Sequence, residues 1–180
     1  MRIIKIGIDL DCVLNNLNHK WIEAYNKVYN DSLSTEDIKS WDIIQYVKPE
    51  CGTKIYELVV DDKLLKQLTP LLYAVEVTKE LIKEHDLYII TATEYSNVKA
   101  KAEWVNKFYP HIGVDKMVIT RHKHLIDVDL LIDDAPHNIL SFPRKTIVMD
   151  YAWNRNLSKA YLRAHNWKEV NNLINDLKEN

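Results

Sequence analysis

The chain has 180 residues, and its 24 Lys and Arg residues nearly balance its 26 Asp and Glu residues. This balance argues against a nucleic-acid polymer or an anionic membrane as the main partner. No apolar run approaches the roughly 20 residues of a membrane-spanning helix, and the N-terminus shows no signal-peptide pattern. Two cysteines, Cys12 and Cys51, are too few for a disulfide framework, so we expect a reduced, cytoplasmic protein.

The first part of the chain predicts one strand followed by helices. Residues 3–8, Ile-Ile-Lys-Ile-Gly-Ile, predict a strand that is buried on both faces. A helical spacing of apolar residues follows over 16–29. Ser34 with Asp37 resembles a weak capping box and predicts a short helix to about residue 44. Two more short helices are predicted over 54–60 and 63–68, and no part of 17–70 has a strand pattern.

From residue 71 onward, helix and strand patterns alternate along the chain. Strands are predicted over 87–90, 117–119, 130–132 and 146–149, and helices over 75–85, 97–108, 158–165 and 168–177. Such alternation is typical of a doubly wound, Rossmann-like α/β fold with a parallel sheet. Because the helical stretch after the first strand is too long for a crossover, we expect an inserted helical cap at 17–70. The catalytic core would then comprise 1–16 and 71–180.

Acidic, hydroxyl and basic side chains follow several of the predicted strands. In a parallel sheet the carboxyl ends of the strands share one edge, where ligands usually bind. The residues that this edge would collect are Asp9, Asp11, Thr91, Lys123, Asp133 and Asp134. Several carboxylates in one crevice suit Mg²⁺, which prefers hard oxygen ligands. The metal and Lys123 would offset the charge of a phosphate, while Thr91 and nearby backbone N–H groups would hold its oxygens.

This set of residues resembles the four motifs of the haloacid dehalogenase (HAD) superfamily. The motifs are Asp9-Leu10-Asp11-Cys12-Val13, Thr91, Lys123 and the pair Asp133-Asp134. Within the superfamily, the chain resembles the 5'(3')-deoxyribonucleotidase family and its bacterial relatives. The segments that extend this likeness to nearly the whole chain are 21–26, 40–42, 68–70, 118–123, 130–134 and 153–156. The chain departs from the family pattern at two positions. Cys12 stands where many relatives have Gly, and Tyr73 stands where the family often has a small residue.

The resemblance implies a Mg²⁺-dependent hydrolase of nucleoside monophosphates. Asp9 would be the nucleophile, and Asp11 would protonate the leaving oxygen and then activate water. Thr91, the neighbouring Ala92 and Lys123 would bind the phosphate. The expected metal ligands are Asp9, the backbone carbonyl of Asp11 and the Asp133-Asp134 pair, whose direct ligand stays open. An acid two residues after the nucleophile favours a phosphatase over relatives that keep their phospho-aspartate.

Other interpretations stay open. The substrate could be a sugar phosphate or another small phosphorylated metabolite, and the chain could be a non-catalytic nucleotide-binding or metal-binding protein. A protein-tyrosine-phosphatase motif fails, because Asn18 and Glu57 stand where an arginine would have to follow each cysteine. Trp41 is a candidate for contact with a nucleobase, although aromatic residues in so small a cap must also build its core. Base preference and oligomeric state are not determined by the sequence.

Overall fold

The computed structural model describes residues 3–179 and contains one sheet of six parallel strands. The strand order is β3-β2-β1-β4-β5-β6. The strands are β1 (Lys5–Ile8), β2 (Asp86–Thr91), β3 (Met117–Ile119), β4 (Leu130–Asp133), β5 (Lys145–Met149) and β6 (Leu162–Ala164). The helices are α1 (Leu17–Tyr29), α2 (Ile55–Val59), α3 (Asp62–Leu65), α4 (Ala74–Leu81), α5 (Val98–Phe108), α6 (Pro136–Ser141) and α7 (Trp167–Glu179). The predicted Rossmann-like α/β fold is confirmed.

The first strand lies in the middle of the sheet, between β2 and β4. Its side chains Ile6 and Ile8 are fully buried, as a central parallel strand requires. Gly7 fits here because a Cβ atom at this position would lie 2.5 Å from Cδ1 of Ile90 and 3.0 Å from Cγ2 of Val128. The residues that directly follow β1 therefore emerge at the centre of the sheet edge.

The stretch between β1 and α4 is built from α1 to α3 and short 3₁₀ turns, and it adds no strand to the sheet within the described residues. Its apolar side chains form a second hydrophobic cluster, which Trp153 joins from the loop after β5. The members of this cluster are Ile22, Tyr25, Ile38, Ile43, Val47, Cys51, Ile55 and Trp153. A separate apolar cluster of this kind is what an inserted helical segment needs for its own stability. The exact division into core and cap stays a prediction.

The helix predicted over 34–44 is wrong. Two separate 3₁₀ turns, Thr35–Asp37 and Ile43–Gln45, occupy this stretch. The carboxylate of Asp37 accepts hydrogen bonds from both the backbone N–H and the hydroxyl of Ser34, at 2.9 and 2.6 Å. Ile38 then leaves the helical region, with φ −82° and ψ 89°. The Ser34–Asp37 pair therefore closes a single turn, because the backbone does not continue as a helix after it.

The helix predicted over 158–165 is also wrong, since this stretch contains the edge strand β6. Ile147 and Met149 of β5 pair with Leu162 and Ala164. The guanidinium group of Arg163 donates to Asp150 at 2.8 Å. It also donates to the side chain and the carbonyl of Asn154, at 2.6 and 3.0 Å. These contacts come from residues distant in sequence, and they outweigh the local helical pattern.

Two non-glycine residues at the departures from the family pattern have left-handed backbone conformations. Cys12 has φ 62° and Tyr73 has φ 66°. The left-handed region costs L-residues roughly 1–2 kcal/mol, a cost that glycine avoids. The usual glycine at the position of Cys12 therefore has a conformational explanation.

Among the described residues, no helix combines the length and the apolar composition that crossing a bilayer requires.

Candidate active site

Three buried carboxylates meet at the carboxyl ends of β1 and β4. Asp9 directly follows β1, and its backbone N–H continues the sheet pairing by donating to the carbonyl of Ile132 at 2.9 Å. Asp133 ends β4, and Asp134 follows it. Each of Asp9, Asp133 and Asp134 offers an oxygen atom, and these atoms lie within 4.8 Å of one another. The structure therefore brings together three of the four acidic residues that the sequence predicted at one edge of the sheet, all but Asp11.

The side chain of Lys123 reaches this cluster from a 3₁₀ turn, Lys123–Leu125, that precedes β4. Its ammonium group donates to Asp9 and to Oδ2 of Asp133, the latter at 2.7 Å. Burial disfavours the charge on Lys123, but the attraction of Asp133 and Asp9 outweighs it and raises the lysine pKa. For Asp9 burial dominates, and it raises the pKa to about 7 despite Lys123. One ammonium group for three carboxylates leaves a negative site that fits a divalent cation.

The two neighbouring aspartates at the end of β4 have different surroundings. Oδ1 of Asp133 accepts hydrogen bonds from the backbone N–H of Ala135 at 2.8 Å and from the amide of Asn138 at 3.2 Å. Its Oδ2 accepts from Lys123 and again from Asn138. Asp134 instead lines the cavity above the cluster. Burial raises the pKa of Asp134, and the charges of Asp9 and Asp133 raise it further. Asp134 is thus the member of the pair that faces the cavity.

The second aspartate of the first motif, Asp11, is held by two side chains. Its carboxylate forms an ion pair with Lys101 and accepts a hydrogen bond from Nδ2 of Asn15 at 3.0 Å. Lys101 also donates to Oγ1 of Thr91 at 3.1 Å and to the carbonyl of Ala92 at 3.0 Å. Asp11 is therefore paired with Lys101, whereas Asp9 and Asp133 are paired with Lys123.

Lys101 was missed by the sequence reasoning. It lies on the face of α5 that also buries Trp104 and Val105. A charged residue at i, with apolar residues at i+3 and i+4, interrupts the buried stripe of an amphipathic helix. That interruption was the available signal, since a buried lysine needs a charged or polar partner.

Thr91 and Ala92 follow one another at the end of β2 but differ in exposure. Thr91 is fully buried, and its hydroxyl bonds the carbonyl of Ala92 at 3.2 Å as well as Lys101. Ala92 lines the cavity. The structure therefore places two of the predicted phosphate-binding residues, Thr91 and Ala92, beside the Asp11–Lys101 pair, whereas the third, Lys123, lies with Asp9 and Asp133.

A cavity of about 270 Å³ opens above the acidic cluster. Its floor includes Asp9, Asp11, Lys123 and Asp134, and its walls are largely apolar and aromatic. The apolar and aromatic wall residues include Leu17, Trp21, Ile38, Trp41, Ile43, Tyr56 and Trp153. A polar floor below apolar walls is typical of a site for a small ligand with a charged end.

The predicted base-contact residue Trp41 lies on this wall, and 52% of its surface is exposed. Its ring meets those of His137 and Trp153 edge-on, with centroid distances of 5.2 and 6.3 Å. Trp153 in turn stacks on Tyr151 at 4.3 Å. Burial lowers the pKa of His137, which favours its neutral form. The aromatic wall therefore includes one half-exposed side chain, that of Trp41.

The sheet, with acidic residues after β1 and β4 and a lysine before β4, defines a HAD-like hydrolase of the phosphatase type. A haloacid dehalogenase-like hydrolase from Streptococcus pneumoniae has a similar structure, with a TM-score of 0.68 at 13% sequence identity. The alignment covers 96% of this chain and 98% of that one. At this identity the likeness concerns the fold alone.

The chain belongs to the family described as 5' nucleotidase, deoxy (pyrimidine), cytosolic type C, whose model matches residues 2–179. It is 36% identical over 174 residues to a 5'(3')-deoxyribonucleotidase of Clostridium acetobutylicum. The alignment covers 97% of this chain and 96% of the relative. A 5'(3')-deoxyribonucleotidase of Bacillus subtilis is 36% identical over 168 residues, and that alignment covers 92% of this chain and 95% of the relative. The family predicted from the sequence motifs is therefore confirmed.

Proposed function

We propose that this phosphatase hydrolyses (deoxy)nucleoside monophosphates to nucleoside and phosphate with the help of Mg²⁺. The observation that carries the proposal is the buried cluster of Asp9, Lys123, Asp133 and Asp134 at the floor of an aromatic cavity. The floor suits a phosphate and its metal ion, and the walls suit a nucleoside. The names of the similar enzymes from C. acetobutylicum and B. subtilis support this substrate class.

The donor set supports Mg²⁺ as the metal. Asp9, Asp134 and the backbone carbonyl of Asp11 would hold it, because oxygen ligands alone favour a hard cation. Asp134 is the preferred direct ligand of its pair, since both oxygens of Asp133 already accept hydrogen bonds from Lys123, Asn138 or Ala135. When bound, the ion supplies positive charge that offsets the phosphate and favours attack on phosphorus. Asp133 would then orient Lys123.

The two aspartates of the first motif divide the chemistry between them. Asp9 attacks phosphorus with a carboxylate oxygen, forming an aspartyl-phosphate while the bond to the leaving oxygen breaks. Asp11 gives its proton to that oxygen, and the nucleoside departs as an alcohol. Asp11 then takes a proton from water, whose oxygen attacks the phosphorus and releases phosphate and free Asp9. Asp11 is ion-paired with Lys101 in the structure, so it has to take up a proton before it can act as the acid. Its separation from the Asp9–Lys123 contact supports the division of roles.

The remaining groups bind and cover the substrate in this proposal. Lys123, the hydroxyl of Thr91 and the backbone of Ala92 bind the phosphate oxygens. Trp41 contacts the base from the wall, where its ring is partly exposed beside Trp153. The helical segment 17–70 acts as a cap over the core formed by 1–16 and 71–180. Residues from both parts line the cavity, which supports this arrangement.

Phosphate release from a panel of esters tests the proposal. With Mg²⁺, deoxynucleoside monophosphates should be hydrolysed at least ten times more efficiently than sugar phosphates that lack a base. EDTA should abolish the activity. Asp9→Asn should reduce kcat by more than about 10³-fold, because the nucleophile is lost. Asp11→Asn should reduce it by about 10²- to 10⁴-fold, the usual contribution of a positioned acid–base group.

Three results would count against the proposal. Activity that persists in EDTA or in Asp9→Asn would exclude this metal-assisted mechanism. Equal or better turnover of sugar phosphates would favour a phosphatase of another small metabolite. Tight binding of nucleotide and Mg²⁺ without release of phosphate would indicate a non-catalytic binding protein.

A further inference from the structure

Asn18 is a buried polar residue on the wall of the active-site cavity. It is the second residue of α1, only 5% exposed, and it lines the cavity together with Leu17 and Trp21. Cys12 of the first motif lines the same cavity, which places Asn18 beside that motif. The nitrogen of its side-chain amide is enclosed, and within residues 3–179 it has no hydrogen-bond partner.

This unpaired donor is unusual in its surroundings. A buried amide nitrogen without a partner destabilises the folded state, so native proteins rarely keep one without a reason. Asn15, three residues earlier, shows the ordinary situation. Its oxygen accepts from the backbone N–H groups of Cys12 and Leu17 at 3.3 and 3.0 Å, and its nitrogen donates to Asp11. The neighbouring asparagine is therefore satisfied by the protein, whereas the amide nitrogen of Asn18 is not.

The position of Asn18 indicates which part of a substrate it can meet. Lys123 and the aspartates serve the phosphate end of the cavity, and Trp41 and Trp153 offer aromatic surface at the wall. Asn18 lies beside the motif loop on α1, one helical turn before Trp21. A nucleoside that extends from the phosphate toward the aromatic wall carries carbonyl oxygens, ring nitrogens and hydroxyl groups, all of which accept hydrogen bonds. Because the amide nitrogen of Asn18 is enclosed, the carboxamide has to turn about its terminal torsion to donate to a ligand in the cavity. This turn breaks no hydrogen bond of the nitrogen.

We propose that the side-chain amide of Asn18 donates a hydrogen bond to the nucleoside part of the substrate. The residue thereby favours nucleotides over phosphate esters that lack a nucleoside. This role rests on the proposed function. The unpaired amide nitrogen destabilises the free protein, and its hydrogen bond to the nucleoside stabilises the complex, because that bond forms only when the substrate is present.

Substitution of Asn18 by leucine removes the donor with little change in volume. With Mg²⁺ present, kcat/KM should be measured on the four common deoxynucleoside 5'-monophosphates and on phenyl phosphate. We expect Asn18→Leu to lower kcat/KM on the nucleotides about 10- to 100-fold, since a donor to the substrate is lost. The value for phenyl phosphate should change less than about 3-fold. The melting temperature should stay equal or rise, because an unpaired buried amide is removed.

Asn26→Leu is the matched control on the same helix. The side chain of Asn26 bonds the carbonyl and the N–H of Leu33, at 2.8 and 3.0 Å, so its loss should lower the melting temperature. In this variant the ratio of kcat/KM for the nucleotides to kcat/KM for phenyl phosphate should not change.

An equal loss on both substrate types in Asn18→Leu, or no loss on nucleotides, would overturn the role of Asn18. A melting temperature that falls as in Asn26→Leu would assign Asn18 to structure. Failure of the wild type to hydrolyse any of the nucleotides, while it hydrolyses phenyl phosphate, would instead overturn the proposed function and this role with it.

Discussion

At the scale of single residues, the two buried lysines divide the site into two halves. Lys123 contacts Asp9 and Asp133, and Lys101 contacts Asp11 together with Thr91 and Ala92. Each aspartate of the first motif therefore has its own cationic partner. An acid–base group works only within hydrogen-bond reach of the atom it serves, so the partner that fixes its position contributes to the rate. We therefore infer that Lys101 positions Asp11 for its proposed acid–base role.

Replacement of Lys101 by methionine tests this positioning role. The variant keeps the length of the side chain but leaves Asp11 without its ammonium partner. We expect kcat for nucleoside monophosphates to fall roughly 10- to 100-fold, with KM changed less than about 3-fold. Steady-state kinetics with Mg²⁺, on protein whose fold is checked by circular dichroism, provide the measurement.

Lys99→Met is the control, because Lys99 lies on the same helix with its side chain 88% exposed. Its kcat should stay within a factor of two of the wild-type value. A kcat for Lys101→Met that matches this control, or a loss that appears only in KM, would contradict the role.

At the scale of elements, the centre of the sheet depends on a close fit around β1. Gly7 pairs with Tyr88 of β2 on one side and with Leu131 of β4 on the other. The side chain of Ile90 occupies the space that a Cβ at Gly7 would need. Because the interior is close-packed, an added methyl group here has to displace its neighbours.

Gly7→Ala should therefore destabilise the protein by about 1–3 kcal/mol. Ile90→Val removes the methyl group that the new Cβ would meet and should cost about 0.5–1.5 kcal/mol alone. In the double variant the cost should be at least about 0.5 kcal/mol less than the sum, because the two sites share this space. Urea unfolding measures the free energies. Ile89→Val, at a buried neighbour, is the control, and its free-energy cost should add to that of Gly7→Ala. If the costs also add for Gly7→Ala with Ile90→Val, the packing argument is contradicted.

The elements also show where local patterns suffice. The strands β1, β2, β4 and β5 were predicted to within one or two residues, because each is a run of buried apolar side chains. The edge strand β6 was predicted as helix, since it has only three residues and its centre is Arg163. Its conformation depends on β5, Asp150 and Asn154. A segment stabilised by such distant contacts has no signal of its own in a local window.

At the scale of the whole molecule, contacts between distant parts of the chain shape the cavity. Arg155 donates to Glu36 of the helical segment at 2.6 Å and to Asp150 of the core at 2.9 Å. The indole N–H of Trp167 donates to the carbonyl of Val13 at 2.8 Å, linking α7 to the first motif. The loop after β5 and the last helix therefore support the motif loop and the wall above it.

Metal binding at the buried cluster should stabilise the whole fold, because only the folded chain assembles the ligands. At a Mg²⁺ concentration 100 times its Kd, we expect a gain of about 2.7 kcal/mol. For a domain of this size this corresponds to a rise in Tm of about 5–11 °C. Thermal unfolding followed across a Mg²⁺ titration provides the measurement.

Asp134→Asn should remove most of this Mg²⁺-dependent rise. Asp127→Asn, at a carboxylate that is 71% exposed, should keep it. A rise of equal size in the Asp134 variant would exclude that residue as a direct ligand, and no rise in the wild type would contradict the metal site.

The sequence by itself determined the fold class and the family. Buried runs alternate with amphipathic patterns, and acidic residues, a threonine and a lysine follow the strands in the order of the HAD motifs. Only the tertiary structure brought Lys101 to Asp11, separated the surroundings of Asp133 and Asp134, and left the amide of Asn18 unpaired on the cavity wall. Strand patterns and motifs are local and can be found in the order of the residues. Pairing and burial of a side chain depend on neighbours that are far away in the chain, 90 positions for Asp11 and Lys101 and 114 for Asp9 and Lys123, and that come together only on folding.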